Sequence, residues 1–173
     1  MSHATETRRL ASVPDLEARL VTWLARHSID ALRISLGLVF LGFGVLKFVP
    51  GLSPAESLAE DTLRVMTLGI LPAQIGLVGV AALETTIGIL LLTGRGMRLA
   101  LVLLALELVG ILSPLVLLPG QMFRGPLAPT LAGQYVLKDV IVAAAGMVVA
   151  AKTLGARLVV DRDPRQPNEG ARS

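Results

Sequence analysis

Four apolar segments, each about twenty residues long, constrain this chain more than any other feature of its sequence. About 20 apolar residues in a helix are enough to cross a bilayer. The segments lie at residues 29–49, 72–93, 97–118 and 131–152, and the second and third are separated by three residues, which forces an antiparallel hairpin. The sequence therefore predicts an all-α fold, an integral membrane four-helix bundle at 29–152. A cytoplasmic N-terminal segment at 1–28 precedes it, and a disordered cytoplasmic tail at 153–173 follows.

The composition supports a membrane protein and excludes several kinds of site. Of 173 residues, 53% are hydrophobic and 17% are charged, whereas a soluble domain is about 45–50% apolar and about 25% charged. The absence of cysteine excludes thiolate chemistry and cysteine-ligated iron–sulfur or zinc sites. Both histidines, His3 and His27, lie in the polar N-terminal segment, so no metal site is predicted inside the membrane.

The basic residues predict how the chain is oriented. Residues 1–28 contain no cleavable signal, so the first span is expected to remain as an anchor in the cell membrane. Basic residues crowd one side of the predicted membrane: Arg8, Arg9, Arg19, Arg26, Arg95, Arg98, Lys152, Arg157, Arg162, Arg165 and Arg172. The other side carries only Arg64 and Arg124. Because the basic side is normally cytoplasmic, both termini are predicted to be cytoplasmic. The high pI therefore reports topology, and no nucleic-acid partner is predicted.

Two short amphipathic helices are predicted beside the spans. Helix-start signals occur as SVPD at 12–15 and SPAE at 53–56. The first begins a helix that either lies on the inner membrane surface or leads directly into the first span. The second begins a helix in the first outer loop that ends near Gly69 and roofs the bundle.

Five ionisable residues inside the spans are the candidate functional residues. A charge at mid-bilayer costs several kcal/mol, so each is expected to face the protein interior and to be paired. At ~1.5 Å per residue, Glu84 lies about 18 Å, Glu107 about 16 Å, Lys138 and Asp139 about 10 Å, and Lys47 within about 5 Å of the outer surface. All five therefore share the outer half of the membrane, although they come from four different spans.

The helical phase of small residues supports this convergence. Arg33, Gly37, Phe40, Gly44 and Lys47 follow one stripe of the first span. Similar stripes carry Ala73, Leu77, Ala81, Glu84 and Gly88, then Gly96, Ala100, Glu107 and Pro114, then Asp139, Ala143, Gly146 and Ala150. Small residues allow close helix approach in membranes. The predicted packing positions are Gly37, Gly44, Gly88, Pro114 and Gly146.

Two interpretations of the charged residues stay open at this stage. The acids clamp the lysines and fix the helix register, or the five residues form a polar pocket that binds a small molecule or relays protons. Three acids against two lysines leave one carboxyl without a cation, and a carboxyl held neutral can exchange a proton with a quinol or a substrate. Gln134 and Tyr135, about one turn before Lys138, would supply hydrogen bonds to such a ligand.

An ordered set of short motifs resembles the DoxX-like integral membrane family and, more distantly, YkgB-type proteins. The motifs are FGVLKF at 43–48, SPAE at 53–56, Glu84 with Gly88, LTGR at 92–95, SPL at 113–115, GQY at 133–135 and Lys138-Asp139. The resemblance extends from about residue 33 to 151. One departure is Ala132, where relatives often have Glu.

The resemblance implies four transmembrane helices and an association with redox metabolism. It favours a membrane component of a redox or oxidative-stress system, with no intrinsic cofactor, a bound quinone and a soluble oxidoreductase partner. It implies no settled set of catalytic residues. The alternatives are a small-solute transporter that uses the same polar residues, and a structural membrane anchor for a partner complex. The stripes of small residues would also suit a homo-oligomer.

Overall fold

The computed structural model describes residues 13–126 and 128–159 of the chain. The helices are α1 (Val13–Leu46), α2 (Glu56–Met66), α3 (Ala73–Thr93), α4 (Met97–Leu112), α5 (Pro114–Leu117), α6 (Pro119–Met122) and α7 (Leu131–Thr153). A short antiparallel ribbon, β1 (Phe123–Gly125) and β2 (Ala128–Pro129), precedes α7. The predicted helix start at Ser12 and the part of the predicted tail beyond residue 159 lie outside the described residues.

The long helices form the predicted all-α membrane bundle. The stretches Leu16–Leu46, Ala73–Thr93 and Met97–Leu117 are long and apolar enough to cross a membrane. The fourth long helix, α7, packs against α1 and α4, and α3 packs against the same two helices. The outward side of α4 presents exposed apolar side chains to the lipid bilayer: Leu99, Val102, Leu106 and Val109.

The core between the four helices is apolar at one end of the bundle. Its buried residues are Leu36, Phe40, Ile87, Leu91, Ala100, Leu104, Ala145 and Val149. This is the end where α3 and α4 are joined by a tight turn, here called the hairpin end. Gly94 and Gly96 have positive φ values of 69° and 65° in that turn, a backbone region that favours glycine.

Helix α1 is continuous through the predicted amphipathic segment and the first span. It has 34 residues, about 51 Å at 1.5 Å per residue, and is longer than the ~30 Å hydrocarbon core. The structure thus supports the direct lead-in, with no helix break near residue 28. Side chains along its first part, such as Leu16, Leu20 and Trp23, are exposed.

Helices α1 and α3 are antiparallel and touch at glycines. A Cβ added at Gly88 would lie 2.5 Å from the backbone nitrogen of Leu41, and one at Gly44 would lie 2.6 Å from that of Thr85. At Gly37, the added atom would lie 2.8 Å from Cγ of Leu92. These contacts fix the register, and they place the end of α1 at Leu46 about halfway along α3.

The helix α2 packs against α3 and α5 at the opposite end, here called the roof end. The Asp61 carboxylate accepts a hydrogen bond from Gln121 Nε2 at 3.0 Å. The predicted helix in the first outer loop is therefore present, but its first turn differs from the expected cap. Ser53 Oγ is buried without a hydrogen-bond partner among the described residues, and the Glu56 carboxylate instead accepts from the backbone N–H of Gly51 at 2.7 Å.

Candidate functional site

A buried ion pair joins the end of α1 to the middle of α3. The Lys47 Nζ atom lies 2.9 Å from Oε1 and 2.7 Å from Oε2 of Glu84. The two side chains are only 6% and 7% exposed. Gly44, one turn before Lys47, packs directly on the α3 backbone, which brings the two helices close enough for this contact.

The structure corrects the predicted depth of Lys47. Glu84 lies 11 residues after the start of α3 at Ala73, or about 17 Å along the helix axis. Lys47 reaches the same level because Gly44, one turn earlier, packs on the backbone of Thr85, whereas the prediction placed Lys47 near the surface. Helix α1 ends at Leu46, not at residue 49 as predicted, and residues 47–55 are not helical.

Glu107 on α4 lies beside this pair. Its residue is 7% exposed, and its carboxylate has no hydrogen bond or ion pair among the described residues. It is close enough to both Lys47 and Glu84 for charge–charge interaction. Buried carboxyl groups are normally paired or hydrogen-bonded, so Glu107 is the unusual group of the site.

Asp139 on α7 completes the group. It is half-buried and interacts electrostatically with Glu84 and Lys47. We call Lys47, Glu84, Glu107 and Asp139 the acid–lysine cluster. It draws one residue from each long helix or its end.

The burial predicted for Lys138 is wrong. Lys138 is exposed, and its Nζ lies 5.2 Å from the ring centroid of Tyr135. Neighbouring residues on a helix point about 100° apart, so turning Asp139 toward the bundle turns Lys138 away. Gln134 and Tyr135 are also exposed, outside the cluster. Three acids therefore face one lysine.

The predicted stripes describe the inward faces well. Gly37, Phe40 and Gly44 of α1, and Lys47 directly after it, are all buried. Buried residues of the other stripes are Leu77, Ala81, Glu84 and Gly88 of α3, Ala100, Glu107 and Pro114 near α4, and Gly146 of α7. Gly96 is the exception, because it lies exposed in the hairpin turn. An atom added at Gly146 would lie 3.0 Å from Cδ2 of Leu104, so this glycine allows α7 to pack closely on α4.

A second polar group at the hairpin end was missed by the sequence analysis. Lys152 Nζ lies 2.7 Å from Asp30 Oδ1, which ties the end of α7 to α1. Arg33 donates hydrogen bonds to the carbonyl oxygens of Leu91 and Leu92 at the end of α3. The available signal was Asp30 itself, an acid inside the predicted first span and three residues before the stripe that begins at Arg33.

The fold and the buried cluster define a multi-pass α-helical membrane protein with an ionisable core. Within this class, the DoxX family model matches residues 28–117, more than half of the chain. The chain therefore belongs to the DoxX family. The match includes Lys47, Glu84 and Glu107 but ends before α7, so the motifs at 133–135 and 138–139 lie outside it. Neither the curated proteins nor the solved structures give a match.

Proposed function

We propose that this DoxX-family protein is a membrane component of a redox or oxidative-stress system, and that its acid–lysine cluster handles a proton for a small bound molecule. The observation that carries the proposal is the buried Glu107 carboxyl without a partner among the described residues. An ionisable group inside a membrane bundle is costly to keep unless it has a role there. A free carboxyl beside an ion pair supports such a role.

A quinone is the ligand class that we propose for the cluster. The Glu107 carboxyl, which makes no hydrogen bond or ion pair among the described residues, fits one of its carbonyl oxygens. When bound, a quinone supplies the two-electron chemistry. Glu107 would hold the proton next to the ligand, and the Lys47–Glu84 pair would keep α1 and α3 in place around it. A soluble oxidoreductase partner would exchange the electrons.

Purification in mild detergent tests this proposal directly. Lipid extraction and mass spectrometry should find quinone in amounts close to those of the protein, and crosslinking in membranes should recover an oxidoreductase. Glu107→Gln should lower the quinone content, while Glu17→Gln on the exposed start of α1 should leave it unchanged. Absence of both quinone and an oxidoreductase partner would overturn the proposal.

One observation favours a solute transporter as the second candidate. Helix α1 ends at the level of Glu84, and residues 47–55 continue without a helix. Broken helices beside charged residues near mid-membrane are typical of secondary transporters. Solute-driven pH changes inside proteoliposomes carrying a trapped dye, abolished by Glu107→Gln, would favour this function. Failure of both the quinone and the transport assays would leave an anchor for a partner complex.

We further propose that the hairpin end faces the cytoplasm. Arg26, Arg95, Arg98 and Lys152 lie at or beyond that end, whereas Arg64 and Arg124 lie at the roof end. An excess of basic residues is typical of the cytoplasmic side. Reporter fusions that are active only in one compartment can be inserted in the α3–α4 turn and in the α2–α3 loop. The fusion in the α3–α4 turn should report the cytoplasm, and the fusion in the α2–α3 loop should report the opposite side. The reverse assignment of the two sites would overturn this orientation.

A further inference from the structure

A cavity at the hairpin end lies between α1, the α3–α4 turn and α7. Its volume is about 330 Å³, and it is separate from the acid–lysine cluster. Its polar lining comes from Asp30, Arg33, Lys152 and Thr153, and its apolar lining from Ile29, Met97 and Val149. A cavity that combines charged and apolar walls at the end of a bundle suits an amphipathic ligand.

The polar lining favours an anion. Arg33 and Lys152 face one acid, Asp30, so the lining carries one net positive charge. The Arg33 side chain is 20% exposed, and its guanidinium donates through Nη1 to the α3 carbonyls. A guanidinium has five N–H donors, and its contact with Asp30 is a long 3.9 Å. Donors of Arg33 therefore remain for a ligand.

The surroundings of the cavity are also basic. Arg26 lies four residues before Asp30, on the same face of α1, and is exposed just beyond the cavity. Arg98 follows Met97 and is exposed as well. Basic groups at the end of a membrane bundle attract anionic lipid head groups, and basic pockets between transmembrane helices bind them.

We propose that the hairpin-end cavity binds the phosphate of an anionic phospholipid head group. The phosphate oxygens would accept from Arg33 and from Lys152, while Ile29, Met97 and Val149 would contact the glycerol and the upper acyl chains. Asp30 competes with the phosphate for Lys152, because its Oδ1 holds that ammonium at 2.7 Å in the structure. This proposal does not depend on the proposed redox function.

Thermal unfolding of the detergent-purified protein, titrated with phosphatidylglycerol, tests the proposal. A ligand that binds the folded state raises the melting temperature in a concentration-dependent way. We expect a rise with phosphatidylglycerol, none with phosphatidylcholine, and none with inorganic phosphate. Lys152→Gln should weaken the apparent affinity about tenfold, since it removes a hydrogen bond to a charged group. A rise with inorganic phosphate equal to that with phosphatidylglycerol would overturn the lipid assignment.

Two further variants distinguish a specific lipid site from two alternatives. One alternative is non-specific attraction of anionic lipid to basic residues, and the other is a Lys152–Asp30 ion pair that only holds α7 against α1. Arg95→Gln removes one positive charge at the same end, as Lys152→Gln does, but outside the cavity lining. Its affinity for phosphatidylglycerol should therefore match that of the wild type. Asp30→Asn removes the competitor of the phosphate, so it should bind phosphatidylglycerol more tightly. An equal loss of affinity for phosphatidylglycerol in Arg95→Gln and Lys152→Gln would refute the site. An Asp30→Asn variant that binds phosphatidylglycerol no more tightly than the wild type would also refute it. This second measurement decides the question even if Lys152→Gln fails to fold.

Discussion

Lys47 and Glu84 form a two-pronged ion pair in which one ammonium contacts both oxygens of one carboxylate, at 2.9 and 2.7 Å. The pair links the first residue after α1 to the middle of α3. The same two helices meet at Gly44 and Gly88, where backbone touches backbone. The ion pair and the glycines therefore specify one register, because sliding either helix by one turn would separate the charges and force side chains into the contact.

Removal of one partner of this pair should destabilise the bundle strongly. Glu84→Gln removes the carboxylate that contacts the buried Lys47 ammonium, at a cost of about 3–5 kcal/mol in the free energy of unfolding. Thermal or detergent-induced unfolding measures the loss. Glu17→Gln, an exposed position on α1, serves as the control and should change little.

The double variant Lys47→Met with Glu84→Met tests whether the loss comes from the unpaired charge. It replaces the whole pair by apolar side chains, so it should be more stable than the sum of the single losses predicts. Strictly additive losses would show that the two side chains act independently, contrary to the geometry.

The close contact of α1 and α3 should be sensitive to a single added methyl group. Gly88→Ala places a Cβ 2.5 Å from N and 2.7 Å from Cα of Leu41, and backbone atoms cannot move aside as a flexible side chain can. We expect a loss of about 1–3 kcal/mol in unfolding experiments. Gly79→Ala on the same helix meets nothing within 4 Å and should be neutral or slightly stabilising. Equal stability of the two variants would argue against this contact.

The variant Lys138→Met tests whether Lys138 is buried, as the sequence predicts, or exposed, as the structure shows. A buried Lys138 predicts a large loss of stability, whereas the structure places this side chain at the surface beside Tyr135. We therefore expect a change within about 0.5 kcal/mol, similar to that of Arg124→Met, another exposed position. A melting temperature far below that of Arg124→Met would return Lys138 to the interior.

The start of α7 depends on one hydroxyl group. Thr130 Oγ1 accepts from the backbone N–H of Gly133 at 3.0 Å and donates to the carbonyl oxygen of Gln121 at 2.6 Å. Thr130→Ala should cost about 1 kcal/mol, visible as faster hydrogen exchange in the first turn of α7. Thr86→Ala, whose hydroxyl donates only to Ala82 within α3, is the matched control. Equal exchange in both variants would mean that Thr130 is dispensable as a cap.

The sequence was sufficient to predict the long helices and their inward faces. The bounds of α3 and α7 differ from the predicted spans by one residue each, because hydrophobic length and flanking Gly, Pro and Thr residues set them locally. The stripe that ends at Lys47 faces inward for two reasons. Small residues allow close contact between helices, and a charged side chain is costly to expose to lipid. Helical phase was therefore enough to place Lys47, Glu84 and Glu107 on inward faces, but not at the same depth.

The depth of Lys47 and the direction of Lys138 depended on information that hydropathy does not contain. Hydropathy extends the first span through Val49, yet Pro50 restricts the residue before it and disfavours a helix there. That signal would have shortened α1. For Lys138, the order of two adjacent charges does not say which one turns inward. The packing of α7 against α1 and α4 decides it in favour of Asp139.

The early end of α1 has a consequence for how the protein is assembled. Until α3 packs against α1, the Lys47 ammonium lacks the carboxylate that it contacts in the folded protein. A lysine near the end of a transmembrane helix can extend toward the head groups. We therefore expect burial of the Lys47 side chain to require docking of α3, so that the final position of the end of α1 depends on the second long helix.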